Sequence, residues 1–240
     1  LMMAVLAEAR ESVQLLLAAK ADVNAMDFEH KTPLKRALET GDIDMLRLLV
    51  AAGAQVELGY SAQTSPLKHC LMYRSPDTAQ VLLEGKADVQ KLTSRYDTKP
   101  LEEAVTRNRI DVLKLLVDAG LDLSQSTKLA ATLLSSAAAR SYTDMLRLLI
   151  DAKAFVDAVD PYKSCQTPLM IATTACLSSD VLDVLLAAGA KIEACVADNG
   201  GTALSSPNMV QQPDLLKYML RELCRQTGYL EPLEDMVDIN

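Results

Sequence analysis

LLVAAGAQVE, residues 48–57, is one copy of a phrase that returns along the whole chain. LLLAAKADVN stands at 15–24, VLLEGKADVQ at 81–90, LLVDAGLDLS at 115–124, LLIDAKAFVD at 148–157 and VLLAAGAKIE at 184–193. The hinge residues of the six copies are Lys20, Gly53, Lys86, Gly120, Lys153 and Gly189, at steps of 33, 33, 34, 33 and 36 residues. A second phrase keeps the same beat upstream of each later hinge and once beyond the last: TPLKRA (32–37), SPLKHC (65–70), KPLEEA (99–104), TLLSSA (132–137), TPLMIA (167–172) and TALSSP (202–207). Self-similarity at this period marks small supersecondary units that bury a core only by stacking. Such a stack builds a long surface rather than an enclosed catalytic pocket.

One period, residues 27–59, shows how a unit is made. Thr32 can cap a helix, and Pro33 stands in the first turn, where its missing N–H is harmless. Leu34, Ala37 and Leu38 share one face. Gly41-Asp42 breaks the chain, and a second helix follows with Ile43, Leu46, Leu49 and Val50 facing inward. Gly53 closes that helix in a left-handed conformation. The register predicts the same conformation at Lys20, Lys86 and Lys153, where it costs more. The Lys/Gly alternation suggests duplication of a two-repeat block. An acid recurs in the first turn of every second helix: Glu11, Asp44, Asp77, Asp111, Asp144, Asp180 and Asp214. Carboxylates there complement the helix dipole, and stacking keeps them a repeat apart, so they are not read as a metal or catalytic array.

The two phrases resemble the ankyrin repeat, whose pattern opens the first helix with Thr-Pro-Leu-His-x-Ala and closes the second with Leu-Leu-x-x-Gly-Ala-Asp-Val-Asn. The resemblance covers nearly the entire chain in register. It implies an all-α fold, an ankyrin-type α-solenoid of stacked helix–turn–helix units joined by β-hairpin loops. The family's His is replaced throughout, by Lys35, Lys68, Glu102, Ser135, Met170 and Ser205. In the family that His ties neighbouring hairpins together by hydrogen bonds, so its loss implies a less rigid array. Leu133 stands where Pro is usual, and the last unit has Ala203 and Pro207. The units run over 1–26, 27–59, 60–93, 94–126, 127–159, 160–196 and 197–228, followed by an acidic tail, 229–240. Leu1–Ala4 aligns with Leu34–Ala37, so the first unit is read as truncated and the chain as a piece of a longer protein. Its apolar residues Leu1, Met2, Met3, Val5 and Leu6 are expected to form a sticky face. Pro213-Asp214 opens a terminal capping helix that stops at Gly228.

Composition narrows the function. The 240 residues are 50 % apolar but only 4 % aromatic, with no Trp, which suits a core of Leu, Val and Ala at close helix contacts. A formal charge of −8 argues against nucleic acid, whose binding is carried by cations. The five cysteines (70, 165, 176, 195, 224) form no CxxC pair, and the only histidines are His30 and His69. That spacing supports neither a zinc site nor a disulfide framework. Free thiols suit a reducing compartment, so a cytoplasmic or nuclear location is expected. No apolar run approaches the roughly 18–20 residues of a membrane span. His69-Cys70 lacks the orienting third group a Cys–His nucleophile needs, and Cys70 replaces the small Ala of the motif. Gly200-Gly201 lacks the spacing of a phosphate loop. Leu129–Ala139 is read as a closely packed first helix. No enzyme activity and no cofactor or metal are expected.

The resemblance implies a scaffold that binds another protein along its concave face, at hairpin tips and first-helix ends. A rival reading makes the chain the recruiting module of a larger enzyme, a kinase or a ubiquitin ligase. The family's contact positions fall here on Phe28 and Lys31, Met72 and Tyr73, Arg95 and Tyr96, Arg107, Lys128 with Leu129, Arg140, and Tyr162 with Lys163. From Met72 onward the strip is aromatic and basic. Tyr and Arg tend to dominate binding energy. The expected partner is an extended segment with acidic residues facing Arg95, Arg107 and Arg140 and an apolar anchor near Tyr73 and Tyr96. The protein itself is expected to be a monomer. Finally, Leu16-x5-Asp22-Val23-Asn24 resembles the site used by an asparaginyl hydroxylase of ankyrin-repeat proteins, which makes Asn24 a candidate for modification. The competing reading is that Asn24 braces its turn.

Overall fold

A computed structural model of the chain describes residues 1–60, 65–73, 75–93, 98–160, 166–175, 179–194, 201–205 and 212–228, with the side chains of Met72 and Tyr73 outside the description. Two compact units result, Leu1–Asp122 and Leu123–Asn240. The first holds α1 (Met2–Leu6), α2 (Arg10–Ala18), α3 (Pro33–Thr40), α4 (Ile43–Ala51), α5 (Pro66–Tyr73), α6 (Pro76–Glu84), a 3-10 turn (Val89–Thr93), α7 (Lys99–Thr106) and α8 (Ile110–Asp118). The second holds α9 (Thr127–Ala138), α10 (Thr143–Asp151), α11 (Pro168–Ala175), α12 (Ser179–Ala187), a 3-10 turn (Ala203–Ser205) and α13 (Pro213–Thr227). Within the first unit α1 packs on α3, α5 on α7, and α4 and α8 on α6. First helices therefore stack on first helices and second on second. The same rule holds in the second unit, where α9 meets α11 and α10 meets α12. The fold is all-α, an ankyrin-type solenoid. Among the described residues the connecting loops carry turns and one isolated antiparallel bridge, Asp160–Gln166, rather than extended strand pairs.

Local chemistry sets the helix ends. Thr32 Oγ1 accepts from the Lys35 amide at 3.2 Å, with Pro33 opening α3. Asp42 Oδ1 accepts from the Met45 amide at 3.0 Å and Ser75 Oγ from the Thr78 amide at 3.2 Å, capping α4 and α6. Leu34, Ala37 and Leu38 are buried as the pattern predicts, and so are Leu46 and Leu49. Ile43 and Val50 are only half-buried, and Met45 takes the core position instead. The buried arc of α4 is centred on 45, 46 and 49, which leaves 43 and 50 at its margins. All seven register acids lie in the first turns of second helices. The terminal helix α13 ends at Gly228, φ 73°, and packs back through Tyr218, whose hydroxyl donates to Asp183.

Two rows of left-handed residues run through the array. The hinge row is the predicted one: Lys20, Lys86 and Lys153 (φ 61°, 63° and 61°) alternate with Gly53, Gly120 and Gly189. The other row lies between the two helices of a unit, at Glu8, Gly41, Asn108 and Ser141 (φ 53°, 77°, 54° and 56°). A Cβ in this conformation costs on the order of 1 kcal/mol. Lys86→Gly is therefore expected to raise the melting temperature, by about 0.5–1 kcal/mol of stability once the extra freedom of an unfolded glycine is subtracted. A lower melting temperature would mean that the Lys86 side chain contributes more than its backbone strain costs.

The first helix of the fifth repeat departs from the others. α9 begins at Thr127, six residues ahead of Leu133, which holds the register of Pro33. Pro fixes where its helix starts because it cannot donate to the preceding turn. With Leu133 in its place every amide from Ala131 onward can bond back, and the Ala-rich segment continues the helix upstream. Ala130, Ala131, Ala137 and Ala138 are all completely buried, so α9 is the closely packed helix its composition predicts.

Candidate functional site

The best-defined tip is the turn Asp27–Lys31. The Asp27 amide donates to the Lys31 carbonyl at 3.1 Å and the His30 amide to the Asp27 carbonyl at 3.0 Å, with His30 left-handed at φ 55°. Asp27 Oδ1 accepts from the amides of Glu29 (2.9 Å) and Lys31 (3.0 Å). Its other oxygen takes two bonds from Arg36, at 3.1 Å from Nε and 2.7 Å from Nη2. The Lys31 amide and the Arg36 guanidinium hold the Asp27 carboxyl below the ordinary carboxylate range. Arg36 also reaches Glu29 at 2.8 Å and Glu39 at 3.4 Å, and the Lys31 ammonium meets Glu39 at 2.9 Å and Glu29 at 3.3 Å. Five charged side chains thus close a turn from which Phe28 projects, 97 % exposed.

The position of the family's His is filled in TPLKRA by Lys35. Lys35, in the His position of its repeat, donates from Nζ to the carbonyl of Gly59 at 2.8 Å and lies 4.7 Å from the centre of the Tyr60 ring. Burial pushes the Tyr60 phenol above its ordinary range. Lys68, the next residue in that register, is buried, and Glu102 accepts from Thr98 Oγ1 at 2.6 Å. At the first of these positions a long cation bonds where the imidazole of the family would stand. A second set of ties starts from the residues that close four of the six repeated phrases and from Gln226 in α13. In the first unit Asn24 Oδ1 accepts from the Gln55 amide at 2.8 Å, Glu57 Oε1 from the Asp88 amide at 3.0 Å, and Gln90 Nε2 donates to the Gly120 carbonyl at 2.7 Å. In the second unit Asp157 Oδ1 accepts from the Lys191 amide at 2.9 Å, and Gln226 Nε2 donates to the Ala190 carbonyl at 2.9 Å. The sequence shows one polar residue per period at this place but not what it bonds. Asn24 therefore bonds to the backbone of the following repeat.

Part of the predicted contact strip lies among the described residues. Phe28 and Lys31 lie in the turn just described, Lys31 with its charge engaged by two carboxylates. Arg107 is exposed at the end of α7 and paired with Glu103 at 2.5 Å. Lys128 and Arg140 are exposed in the second unit, Arg140 with a 3.4 Å bond to the carbonyl of Ser136. The early start of α9 puts Lys128 in a first helical turn instead of at a tip, and Leu129 is buried. Arg95, Tyr96, Tyr162, Lys163 and the side chains of Met72 and Tyr73 lie outside the described residues. Cys70 is buried, its thiol pushed up to about 12 by desolvation, and burial also lowers the pKa of neighbouring His69. Among the described residues no group of three or more His, Cys, Asp or Glu could hold a metal ion, and no helix is long and apolar enough to cross a membrane.

The family model described as ankyrin repeats, three copies, matches residues 1–93 and 101–195. The chain belongs to the ankyrin-repeat family. Ankyrin repeats are protein–protein interaction modules and generally non-catalytic. Among similar proteins, ankyrin repeat protein FPV244 of fowlpox virus is 31 % identical over 111 residues, 46 % of this chain and 16 % of that protein. The E3 ubiquitin-protein ligase KEG of Arabidopsis thaliana is 34 % identical over 82 residues, 34 % of this chain and 5 % of that protein. Tyrosine-protein kinase HTK16 of Hydra vulgaris is 28 % identical over 99 residues, 41 % of this chain and 13 % of that protein. The matches therefore span a small part of these relatives. The fold is shared with an ankyrin repeat domain from Acinetobacter baumannii, at a TM-score of 0.62 and 24 % identity over 79 % of this chain and 97 % of that one. It is shared likewise with the ankyrin repeat domain of Bcl-3, a member of the IκB family, at 0.64 and 23 % over 92 % and 96 %.

Proposed function

We propose that this ankyrin-repeat chain is a docking scaffold whose tips and first-helix ends take an extended segment of another protein. The observation that supports this is the division of labour among polar side chains. Asn24, Glu57, Gln90, Asp157 and Gln226 are spent on bonds between successive repeats, while Phe28, Arg107 and Arg140 are exposed. A surface whose backbone is already fixed loses less freedom on binding. Acidic residues of the partner would face Arg95 and Arg140, since Arg107 already has a carboxylate. The match to a ubiquitin ligase and a kinase supports a second reading, in which the scaffold recruits substrates for chemistry carried elsewhere in a longer protein. Either role suits the cytoplasm or nucleus, and a monomer.

The test is to recover a partner by pull-down and then replace Tyr96 and Arg140 by alanine, checking helicity by circular dichroism. Losses of about 1–3 kcal/mol each are expected. Unchanged affinity in both, with binding lost instead on altering the exposed second-helix residues Lys114 and Arg147, would place the interface on the other side. Asn24 remains a proposed modification site. One added oxygen on its peptide after treatment with an iron- and 2-oxoglutarate-dependent asparaginyl hydroxylase would establish it, and an unmodified peptide would reject it.

A further inference from the structure

Phe28 has no folding role to account for it. Its ring is 97 % exposed, so it contributes nothing to the core and leaves apolar area in water. Yet the turn that carries it is held by several bonds, through Asp27, His30, Lys31 and Arg36. The electrostatics of that turn are lopsided. Its cations are drawn in, with the side chains of Arg36 and Lys31 at 17 % and 25 % exposure, while the carboxylates of Glu29 and Glu39 stand out at 54 % and 36 %. A partner meeting this tip therefore sees an aromatic ring on a turn whose more exposed charged groups are carboxylates.

We infer that Phe28 is a preformed anchor for an apolar pocket rimmed by Lys or Arg on a partner protein. The inference rests on the reading that the tips are the docking side, and it moves the anchor from Tyr73 and Tyr96 to the turn at Asp27–Lys31. It also reverses the charge expected of the partner at this point, from acidic to basic. The physical case is pre-organisation. An exposed ring on a loose loop must be ordered on binding, whereas here two backbone bonds, two amide–carboxylate bonds and a two-point Arg36–Asp27 pair have ordered it in advance. Carboxylates flanking the ring steer a basic rim toward it and disfavour an acidic one.

The experiment selects random displayed peptides on the 240-residue chain and measures each binder against the parent, Phe28→Ala and Asp27→Ala. Folding of the variants is checked by circular dichroism, and Phe28→Ala leaves it intact because the ring touches no core. The expected binders combine an apolar cluster with Lys or Arg, lose at least about tenfold affinity on Phe28→Ala, lose affinity on Asp27→Ala although Phe28 is retained, and weaken with added salt. Binders that are acidic, or that hold equally to Phe28→Ala, overturn the anchor. If such binders instead depend on Tyr96 or Arg140, the docking side stands and only the anchor falls. If all depend on Lys114 or Arg147, both readings fall together.

Discussion

Leu49→Ala is expected to destabilise the first unit by about 3 kcal/mol, whereas Leu16→Ala, at the same place in the preceding repeat, should cost about 1 kcal/mol or less. The two residues have the same chemistry, the same helix position and the same motif neighbours. They differ in surroundings. Leu49 is completely buried in α4, as are its register mates Leu82, Leu116, Leu149 and Leu185, while Leu16 is 36 % exposed in α2. Removing Leu49 deletes transfer energy and leaves an enclosed cavity. At Leu16 the space opens to solvent and no cavity term arises. Denaturant unfolding of both variants gives the comparison directly. Equal losses would show that the α2 face is covered in solution, by self-association or otherwise, and repeating the titration at a lower protein concentration would reveal which.

Ala137→Leu in α9 is expected to cost about 2–3 kcal/mol, the upper part of the range for forcing bulk into a packed core. Ala137 has no exposed surface and sits where α9 packs against α10 and α11. Leu and Ala have similar helix propensities, so a loss reports crowding rather than a weaker helix. Ala139→Leu, one residue beyond the end of the helix and half-buried, serves as the control and should change the melting temperature little. A neutral Ala137→Leu would mean that α9 can move away from its neighbours, and the closeness of this helix would then not matter to stability.

Much of the fold is legible in the residues. The period gives the number of helix pairs, because a hinge and a Thr-Pro-Leu-like start recur in step. Thr32, Asp42 and Ser75 announce helix starts, because a cap acts over three residues. The left-handed state of Lys20, Lys86 and Lys153 follows from sharing a register with glycines. The span of α13 follows from a Pro before it and a Gly after it. Where the signal is carried by one residue type alone, it fades: Glu8, Asn108 and Ser141 are left-handed too, and only Gly41 among their register mates hints at it.

What the sequence determined by itself, then, is what is settled within a few residues: the repeat, the caps and the hinge conformation, whereas the margins of an apolar face, as at Ile43, Met45 and Val50 in α4, were set by packing. Tertiary structure decided the bonds that span the loops and link successive repeats. Lys35 finds the Gly59 carbonyl 24 residues away, and Asn24, Glu57 and Gln90 find backbone groups 30 or 31 residues away. It also decided which charges stay available. Lys31 and Arg36 read as a basic pair along the chain, and stacking α3 beneath its own turn buries them under three carboxylates, leaving the acids and Phe28 outermost. The reason is that a cap's partner is fixed by backbone geometry next to it, whereas the reach of a lysine or arginine is long enough to choose among several partners, and only the packed neighbours settle which one it meets.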